Sequence, residues 1–169
     1  TLNLASSFIE ILLLCCHTES FYLTDLCWCF NPYNQQKMSI TMFDNMKIVL
    51  ADDHPLFRTA LSGTLKTISP QAEIVEAADL SSLQARVEEY NQANMILLDL
   101  QMPGTDGFSG LIFLMAHYTH IPVIVVSAHE EPEIMRRALD YGASGFLPKS
   151  ASPEAMNEAL ETVLKGGIW

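Results

Sequence analysis

From Met46 onward, short apolar runs alternate with segments whose apolar residues recur at helical spacing, and this alternation restricts the fold more than any other feature. Short apolar runs that Pro and Gly interrupt are typical of strands buried on both faces of a parallel sheet. The predicted strands are 47–51, 73–77, 95–98, 121–126 and 144–147. The pattern therefore predicts an α/β fold in which helices cover both faces of a parallel sheet, wound by right-handed crossovers.

The intervening segments predict five helices with one apolar side each. Pro55 suits the first turn of the first helix, Gly142 a left-handed stop after the fourth, and Ser152 with Pro153 the start of the fifth, which Gly166 and Gly167 end. The 73–77 run alternates polar and apolar residues, which indicates an edge strand. The expected core positions of the helices are Leu56, Phe57, Ala60, Leu61, Leu65 and Ile68; Leu80, Leu83, Val87 and Tyr90; Phe108, Leu111, Ile112 and Met115; Ile134, Met135, Ala138 and Tyr141; and Met156, Leu160, Val163 and Leu164.

Polar side chains follow four of the predicted strands directly. Asp52 and Asp53 follow the first strand, Asp99 the third, Ser127 the fourth and Lys149 the fifth, beyond Pro148. The carboxyl ends of parallel strands meet at one edge of the sheet, which is where ligand sites of open α/β sheets lie. The sequence therefore predicts that three carboxylates, a hydroxyl and an ammonium converge.

The chemistry of such a cluster is restricted. Carboxylates this close together repel one another unless one is protonated or a cation lies among them. Oxygen ligands suit a hard ion such as Mg²⁺, which leaves room for a phosphate oxygen. A carboxylate beside Mg²⁺ and a lysine can attack phosphorus and form an acyl phosphate, while Lys149 and Ser127 offset charge on the phosphoryl oxygens.

Each of these residues also has a structural explanation. Asp99 could hydrogen-bond its own turn, Asp52 and Asp53 could cap a helix, Ser127 could end a strand and Lys149 could be a solvated amine. Their joint occurrence at strand ends favours the functional interpretation.

The first 45 residues differ in character from the rest. All four cysteines lie there, at 15, 16, 27 and 29, and their spacing with His17 matches no common zinc pattern. The apolar run 8–16 is short, contains Glu10 and follows no basic segment, which argues against a membrane span or a secretory signal. We expect residues 1–45 to be a disordered, loosely attached or translated leader, with the true start at Met38, Met42 or Met46.

The net charge of -11 argues against a nucleic-acid or anionic-lipid surface on this chain. Residues 46–169 contain no cysteine, which fits the reducing cytosol. We therefore expect a cytoplasmic domain with no membrane partner.

Four stretches together resemble the receiver domain of two-component response regulators, over 46–165. They are Val49-Leu50-Ala51-Asp52-Asp53-His54, Leu97-Leu98-Asp99-Leu100-Gln101-Met102-Pro103-Gly104, Val125-Val126-Ser127-Ala128 and Gly145-Phe146-Leu147-Pro148-Lys149. The resemblance implies a flavodoxin-like (CheY-like) five-stranded parallel sheet of order 2-1-3-4-5 with helices on both faces. It also implies a phosphoacceptor switch that slowly dephosphorylates itself and is not a conventional enzyme.

By the same resemblance, Asp99 receives a phosphoryl group from the phosphohistidine of a histidine kinase. Asp53, Asp99 and the Gln101 backbone carbonyl would bind Mg²⁺, with Asp52 acting largely through water. Ser127 would be the switch hydroxyl and Lys149 the conserved-type amine of the family pattern.

Four further positions carry weaker implications. Phe146 stands where the family has its switch aromatic, although core packing is the simpler role for an apolar residue on a strand. Gln101 and His129 lie two residues past Asp99 and Ser127, where side chains influence hydrolysis of the acyl phosphate. The Pro before Lys149 departs from the usual order, in which a Pro follows the Lys.

Two stretches resemble receivers of the NarL/FixJ (LuxR-type) subfamily, which precede a helix-turn-helix domain. They are the sequence of residues 142–149 and Gly166-Gly167-Ile168-Trp169 after the last helix. Residues 166–169 would then begin the linker to an effector that this chain lacks. DNA would be bound only through that effector. The face made by the fourth helix, fifth strand and fifth helix would carry the signal to it or to a homodimer partner.

Other classes of protein share this topology. An Asp-nucleophile phosphatase of the haloacid dehalogenase type usually has a second Asp two residues after the nucleophile, and that residue is Gln101 here. A flavin-binding domain would need a Ser/Thr/Gly-rich phosphate loop after the first strand. A phosphorylation-independent interaction module would not need the complete acidic set.

Overall fold

The structure is a computed structural model that describes residues 45–169, which form five strands and five helices in strict alternation. The expectations for the leader and its cysteines lie outside this part of the chain. The strands are β1 Lys47–Ala51, β2 Glu73–Ala77, β3 Met95–Asp99, β4 Val123–Ser127 and β5 Gly145–Pro148. The helices are α1 Pro55–Ile68, α2 Leu80–Glu89, α3 Ser109–His117, α4 Pro132–Asp140 and α5 Pro153–Leu164.

The strands form one parallel sheet of order β2-β1-β3-β4-β5, which confirms the predicted topology. The register pairs Ala51 with Leu98 and Asp99 with Val126, so the carboxyl ends of β1, β3 and β4 lie side by side. Every residue of β3 and β4 is buried, whereas the edge strand β2 combines the exposed Glu73 and Glu76 with the buried Val75 and Ala77.

Two apolar layers enclose the sheet. Ile96 and Leu98 of β3 pack on one side with residues of α2, α3 and α4, while Met95 and Leu97 pack on the other side with residues of α1 and α5. The alternation follows from the pleat, which sends successive side chains of a strand to opposite faces. Consequently β3 is enclosed on both sides, and Asp99 is the first polar residue that its chain reaches.

Local signals in the sequence account for several helix ends. The Ser152 hydroxyl accepts a hydrogen bond from the Ala155 backbone N–H at 3.2 Å and caps α5, with Pro153 in its first turn. Gly142 has φ +98° after α4, a left-handed conformation that favours glycine. None of the helices within residues 45–169 is long and apolar enough to cross a membrane.

Four expected core positions are wrong, and one of them is Tyr141, which is 40% exposed. Leu56 is 88% exposed and Ile112 is 49% exposed, and Ala60 also faces solvent. Leu56 lies in the first turn of α1, whereas the buried residues of this helix, Leu61 and Leu65, lie in later turns. In α3, the neighbours Leu111 and Leu114 face the sheet instead of Ile112. β4 also begins two residues later than predicted, and β5 is displaced by one residue.

Candidate functional site

The carboxyl edge of the sheet brings an amine between two buried carboxylates. Lys149 Nζ lies 2.6 Å from Asp52 Oδ2 and 2.8 Å from Asp99 Oδ2. Both Asp side chains are only 2% exposed, and the Lys149 side chain is 15% exposed. Residues at the ends of β1, β3 and just after β5 therefore meet, as the strand pattern predicts.

The loops after β1 and β3 set the orientation of the two carboxylates. Asp52 Oδ1 accepts a hydrogen bond from the His54 backbone N–H at 2.7 Å, and Asp99 Oδ1 accepts one from the Gln101 N–H at 3.1 Å. Each acid thus uses one oxygen to hold its own turn and presents the other to Lys149. The structural explanation of these aspartates therefore accounts for one oxygen of each side chain, and the other oxygen lies at the Lys149 amine.

An oxygen-rich cluster suited to a cation lies beside the amine. Ligand atoms of Asp52, Asp53, His54 and Asp99 all lie within 4.8 Å of one another. Asp52 Oδ2 and Asp53 Oδ1 are buried, and the neighbouring nitrogens, Lys149 Nζ and His54 Nδ1, each at 2.6 Å, do not meet hydrogen-bond geometry. Carboxylate oxygens with such unsatisfied capacity fit a hard ion such as Mg²⁺. His54 belongs to this cluster although sequence reasoning did not select it.

Burial and charge act in opposite directions within the cluster. Burial raises the pKa of the Asp99 carboxyl above its usual value, although the hydrogen bond from Lys149 opposes the shift. Burial lowers the pKa of Lys149, but its contacts with Asp52 and Asp99 outweigh that effect and raise the pKa overall. Lys149 is therefore a cation at neutral pH, and Asp99 is a carboxylate that is costly to keep charged.

Ser127 and Phe146 are both buried near this edge. The Ser127 hydroxyl accepts a hydrogen bond from the His129 N–H at 3.1 Å, and the Ser127 carbonyl accepts one from the Lys149 N–H at 2.8 Å. Phe146 is 5% exposed, packs within the apolar layer that includes Leu98, and pairs in register with Val125. The ends of β4 and β5 are thus joined directly beside Lys149.

Gln101 and His129 close one side of an open groove at the site. The Gln101 amide nitrogen lies 2.9 Å from His129 Nε2, which joins the loop after β3 to the loop after β4. Because the amide nitrogen can only donate, Nε2 accepts in this arrangement. The groove has a volume of about 560 Å³, and besides this pair its lining includes Asp53, Phe108 and Ile134.

Residues 48–161 match the family model of the response regulator receiver domain. The chain belongs to this family. The "Glycerol metabolism activator" of Pseudomonas putida is 41% identical to this receiver over 123 residues, which are 73% of this chain and 56% of that protein. The receiver thus spans about half the length of such curated relatives.

Solved structures support the same assignment. The signal receiver domain of the putative response regulator NarL from Mycobacterium tuberculosis matches with a TM-score of 0.65 and 31% identity, over 73% of this chain and 98% of that chain. The isolated receiver domain of RcsB from Salmonella enterica serovar Typhimurium, with phosphomimetic BeF₃⁻, matches with a TM-score of 0.68 and 26% identity, over 75% and 93%. The relatives are transcription regulators of the LuxR-type group that the sequence predicted.

Two residues of α1 also contact the receiver site, and sequence reasoning assigned them no functional role. The Phe57 ring lies 4.7 Å from Lys149 Nζ, measured to the ring centroid. Arg58 donates from Nη1 to the Asp52 carbonyl at 2.7 Å and from Nε to Glu76 Oε2 at 2.8 Å. Their only signal in the sequence is their place one turn after Asp53, at the start of a helix.

Proposed function

We propose that residues 46–165 form the phosphoacceptor switch of a two-component system, in which Asp99 receives a phosphoryl group from a histidine kinase. The observation that carries this proposal is the buried Asp99 carboxylate, with Lys149 Nζ at 2.8 Å and two further aspartates in the same cluster. The proposed acceptor Asp99, the Lys149 ammonium and the carboxylates proposed to bind the metal ion thus lie at one edge of the sheet. In-line phosphoryl transfer requires such positioning.

The transfer exchanges one bond for another. An oxygen of Asp99 forms a bond to phosphorus while the bond between phosphorus and the donor's histidine nitrogen breaks, and the leaving imidazole retains that electron pair. Lys149 and the Ser127 hydroxyl are the side chains placed to offset charge on the phosphoryl oxygens. Asp53, Asp99 and the Gln101 carbonyl would hold Mg²⁺, with Asp52 acting through water, and the bound ion would supply further positive charge.

We propose that the phosphorylated state is read through Ser127 and Phe146. The hydroxyl would leave the His129 N–H for a phosphoryl oxygen, and the buried Phe146 would respond by repacking alone, since it has no hydroxyl. Gln101 and His129, joined across the groove, would govern how water reaches the acyl phosphate and so the rate of self-dephosphorylation.

The proposal extends to the longer protein that the relatives suggest. The two-component response regulator RcsB has been solved in complex with DNA, and this chain covers 63% of the RcsB chain in that structure. We propose that residues 166–169 begin a linker to a DNA-binding effector and that the α4–β5–α5 face carries the signal to it or to a homodimer partner. The cytoplasmic location remains a prediction.

Intact-mass spectrometry after incubation with acetyl phosphate tests the function directly. With Mg²⁺ we expect a gain of one phosphoryl group, which disappears without Mg²⁺ and in Asp99→Asn, because the amide keeps the shape but loses the nucleophilic charge. Asp106→Asn is the matched control, since Asp106 is an exposed carboxylate after the same strand.

Two results would contradict the proposal. A gain of equal size in Asp99→Asn would place the acceptor elsewhere. A wild-type chain that stays unmodified with Mg²⁺ would instead support a phosphorylation-independent interaction module.

A further inference from the structure

The Phe57 ring lies beside the Lys149 ammonium. The two carboxylate contacts of the ammonium, to Asp52 and Asp99, come from the ends of β1 and β3, and the Phe57 ring comes from the first turns of α1, with its centroid 4.7 Å from Nζ. Phe57 is half-buried and packs against the apolar layer that contains α1 and α5. The ring therefore separates part of the ammonium from water.

A lysine ammonium depends more than an arginine guanidinium on neighbouring groups to fix its position. The ammonium is a compact, strongly hydrated charge on a flexible four-carbon stem, so a carboxylate contact alone does not fix its position. The face of an aromatic ring carries negative electrostatic potential and attracts a cation within about 6 Å of its centroid. An aliphatic side chain of similar size would exclude water but would not attract the charge.

We propose that Phe57 is a positioning residue for Lys149, and that its ring face holds the ammonium between Asp52 and Asp99 in readiness for the incoming phosphoryl oxygens. This inference rests on the proposed function. It adds a residue of α1 to the proposed acceptor, metal-binding and charge-offsetting side chains, which come from strand ends and the loops after them.

The attachment of α1 to the sheet fixes where the ring lies. Arg58, the next residue, donates hydrogen bonds to the Asp52 carbonyl at 2.7 Å and to Glu76 at 2.8 Å, and its side chain is only 16% exposed. These contacts tie the first turns of α1 to the ends of β1 and β2. Phe57 is consequently presented by a segment anchored to the same backbone that carries Asp52.

Simple apolar packing is the competing explanation, and two kinds of variant separate it from a role of the ring face. Phe57→Leu keeps an apolar side chain and removes the π system, whereas Phe57→Tyr keeps the ring face. Phenylalanines carrying one, two or three fluorines keep nearly the same shape while the negative potential of the face declines stepwise. Phe113→Leu is the matched control, because Phe113 is a partly buried aromatic residue of α3 that packs against His117.

The contact itself is tested by NMR on the unphosphorylated chain. Protons over a ring face are shielded, so the Lys149 ε-methylene protons should resonate upfield of those of the other lysines. We expect this upfield shift to vanish in Phe57→Leu and to persist in Phe57→Tyr and Phe113→Leu. A wild-type spectrum without the shift would overturn the inference whatever the chain's reactivity.

The role in transfer is tested by the initial rate of phosphorylation by acetyl phosphate with saturating Mg²⁺. We expect Phe57→Leu to slow phosphorylation roughly five-fold, as loss of one partly desolvated cation–π contact implies. Phe57→Tyr should stay within about two-fold of wild type on the same basis, and the fluorinated series should decline in order. Thermal midpoints confirm that each variant is folded.

The failures of the two proposals are distinguishable. A wild-type chain that is phosphorylated on Asp99, together with a fluorinated series of constant rate, would overturn the positioning role and leave the proposed function intact. A wild-type chain that takes no phosphoryl group would overturn both, even where the NMR contact is present.

Discussion

The body of the sheet and its carboxyl edge differ in what they contribute to the molecule. In the body, side chains such as Leu97 are fully buried among apolar neighbours, so burial there favours folding. At the edge, Asp52 and Asp99 are buried almost as deeply, and burial raises the Asp99 pKa because the charged form is disfavoured. The difference teaches that burial stabilises the apolar body of the sheet, whereas at the carboxyl edge burial opposes the charged form of Asp99.

The largest expected effect is in the body. Leu97→Ala should lower the free energy of unfolding by about 3 kcal/mol, because it leaves a cavity in the centre of a close-packed layer. Urea unfolding followed by circular dichroism measures this loss. Leu139→Ala is the control, since Leu139 is 38% exposed on α4 and should change stability by less than about 1 kcal/mol. Equal losses in the two variants would remove the distinction between body and surface.

The next effect concerns the attachment of α1 to the edge. Arg58→Met should lower the free energy of unfolding by about 2 kcal/mol, because it breaks charge-assisted hydrogen bonds to Glu76 and to the Asp52 carbonyl. Arg86→Met, which removes an ion pair with Glu89 between half-exposed side chains, should cost about 0.5 kcal/mol or less. Denaturant midpoints of both variants compare them. A smaller loss for Arg58 than for Arg86 would contradict the anchoring role.

Mg²⁺ should raise the free energy of unfolding by binding at the carboxyl edge of the sheet, and not through the apolar body. At a concentration ten times its dissociation constant, we expect a gain of about 1.4 kcal/mol, because only the folded chain brings the carboxylates together. Differential scanning fluorimetry across a Mg²⁺ titration records the gain. Asp53→Asn should lose most of it, whereas Leu97→Ala should retain it at temperatures where that variant is folded. An equal gain in Asp53→Asn would place the ion elsewhere.

Removing the charge of the Asp99 carboxylate should stabilise the chain slightly when no metal ion is present. A carboxyl whose pKa is raised on folding binds its proton more tightly in the folded state, so its contribution to stability falls as pH rises through the folded-state pKa. Asp99→Asn should therefore be more stable than the wild type at pH 7, and the gain should vanish at pH values below the unfolded-state pKa, where Asp99 is neutral in both states. Unfolding curves at both pH values check this sign. A gain that grows toward low pH would contradict it.

The sequence predicted the strands and the polar residues at their ends because both depend on local pattern. Buried strands appear as apolar runs, and Asp52, Asp99, Ser127 and Lys149 follow them within one or two residues. The strand order came from the resemblance to receivers, because pattern alone does not order parallel strands. The functional roles of these side chains stay predictions, which the experiments above test.

The residues that sequence reasoning missed depend on axial position as well as periodicity. Phe57 and Leu56 are neighbours in the same apolar stretch, yet Phe57 contacts Lys149 and Leu56 is 88% exposed. Helical spacing gives the direction in which a residue faces but not how far along the sheet its turn lies. Arg58 and His54 were missed because their roles depend on contacts that the local pattern does not show. Arg58 bonds Glu76 and the Asp52 carbonyl, and His54 lies beside the Asp53 carboxylate.

The hydrogen bond between the Lys149 N–H and the Ser127 carbonyl has a mechanical consequence. Because this bond joins the ends of β4 and β5, we expect the backbone at Ser127 and the backbone at Lys149 to move together. A displacement that begins at the Ser127 hydroxyl would then travel through the backbone to Pro148 and on to the start of α5. A protein docked on that helix would sense an event at Asp99 without touching it.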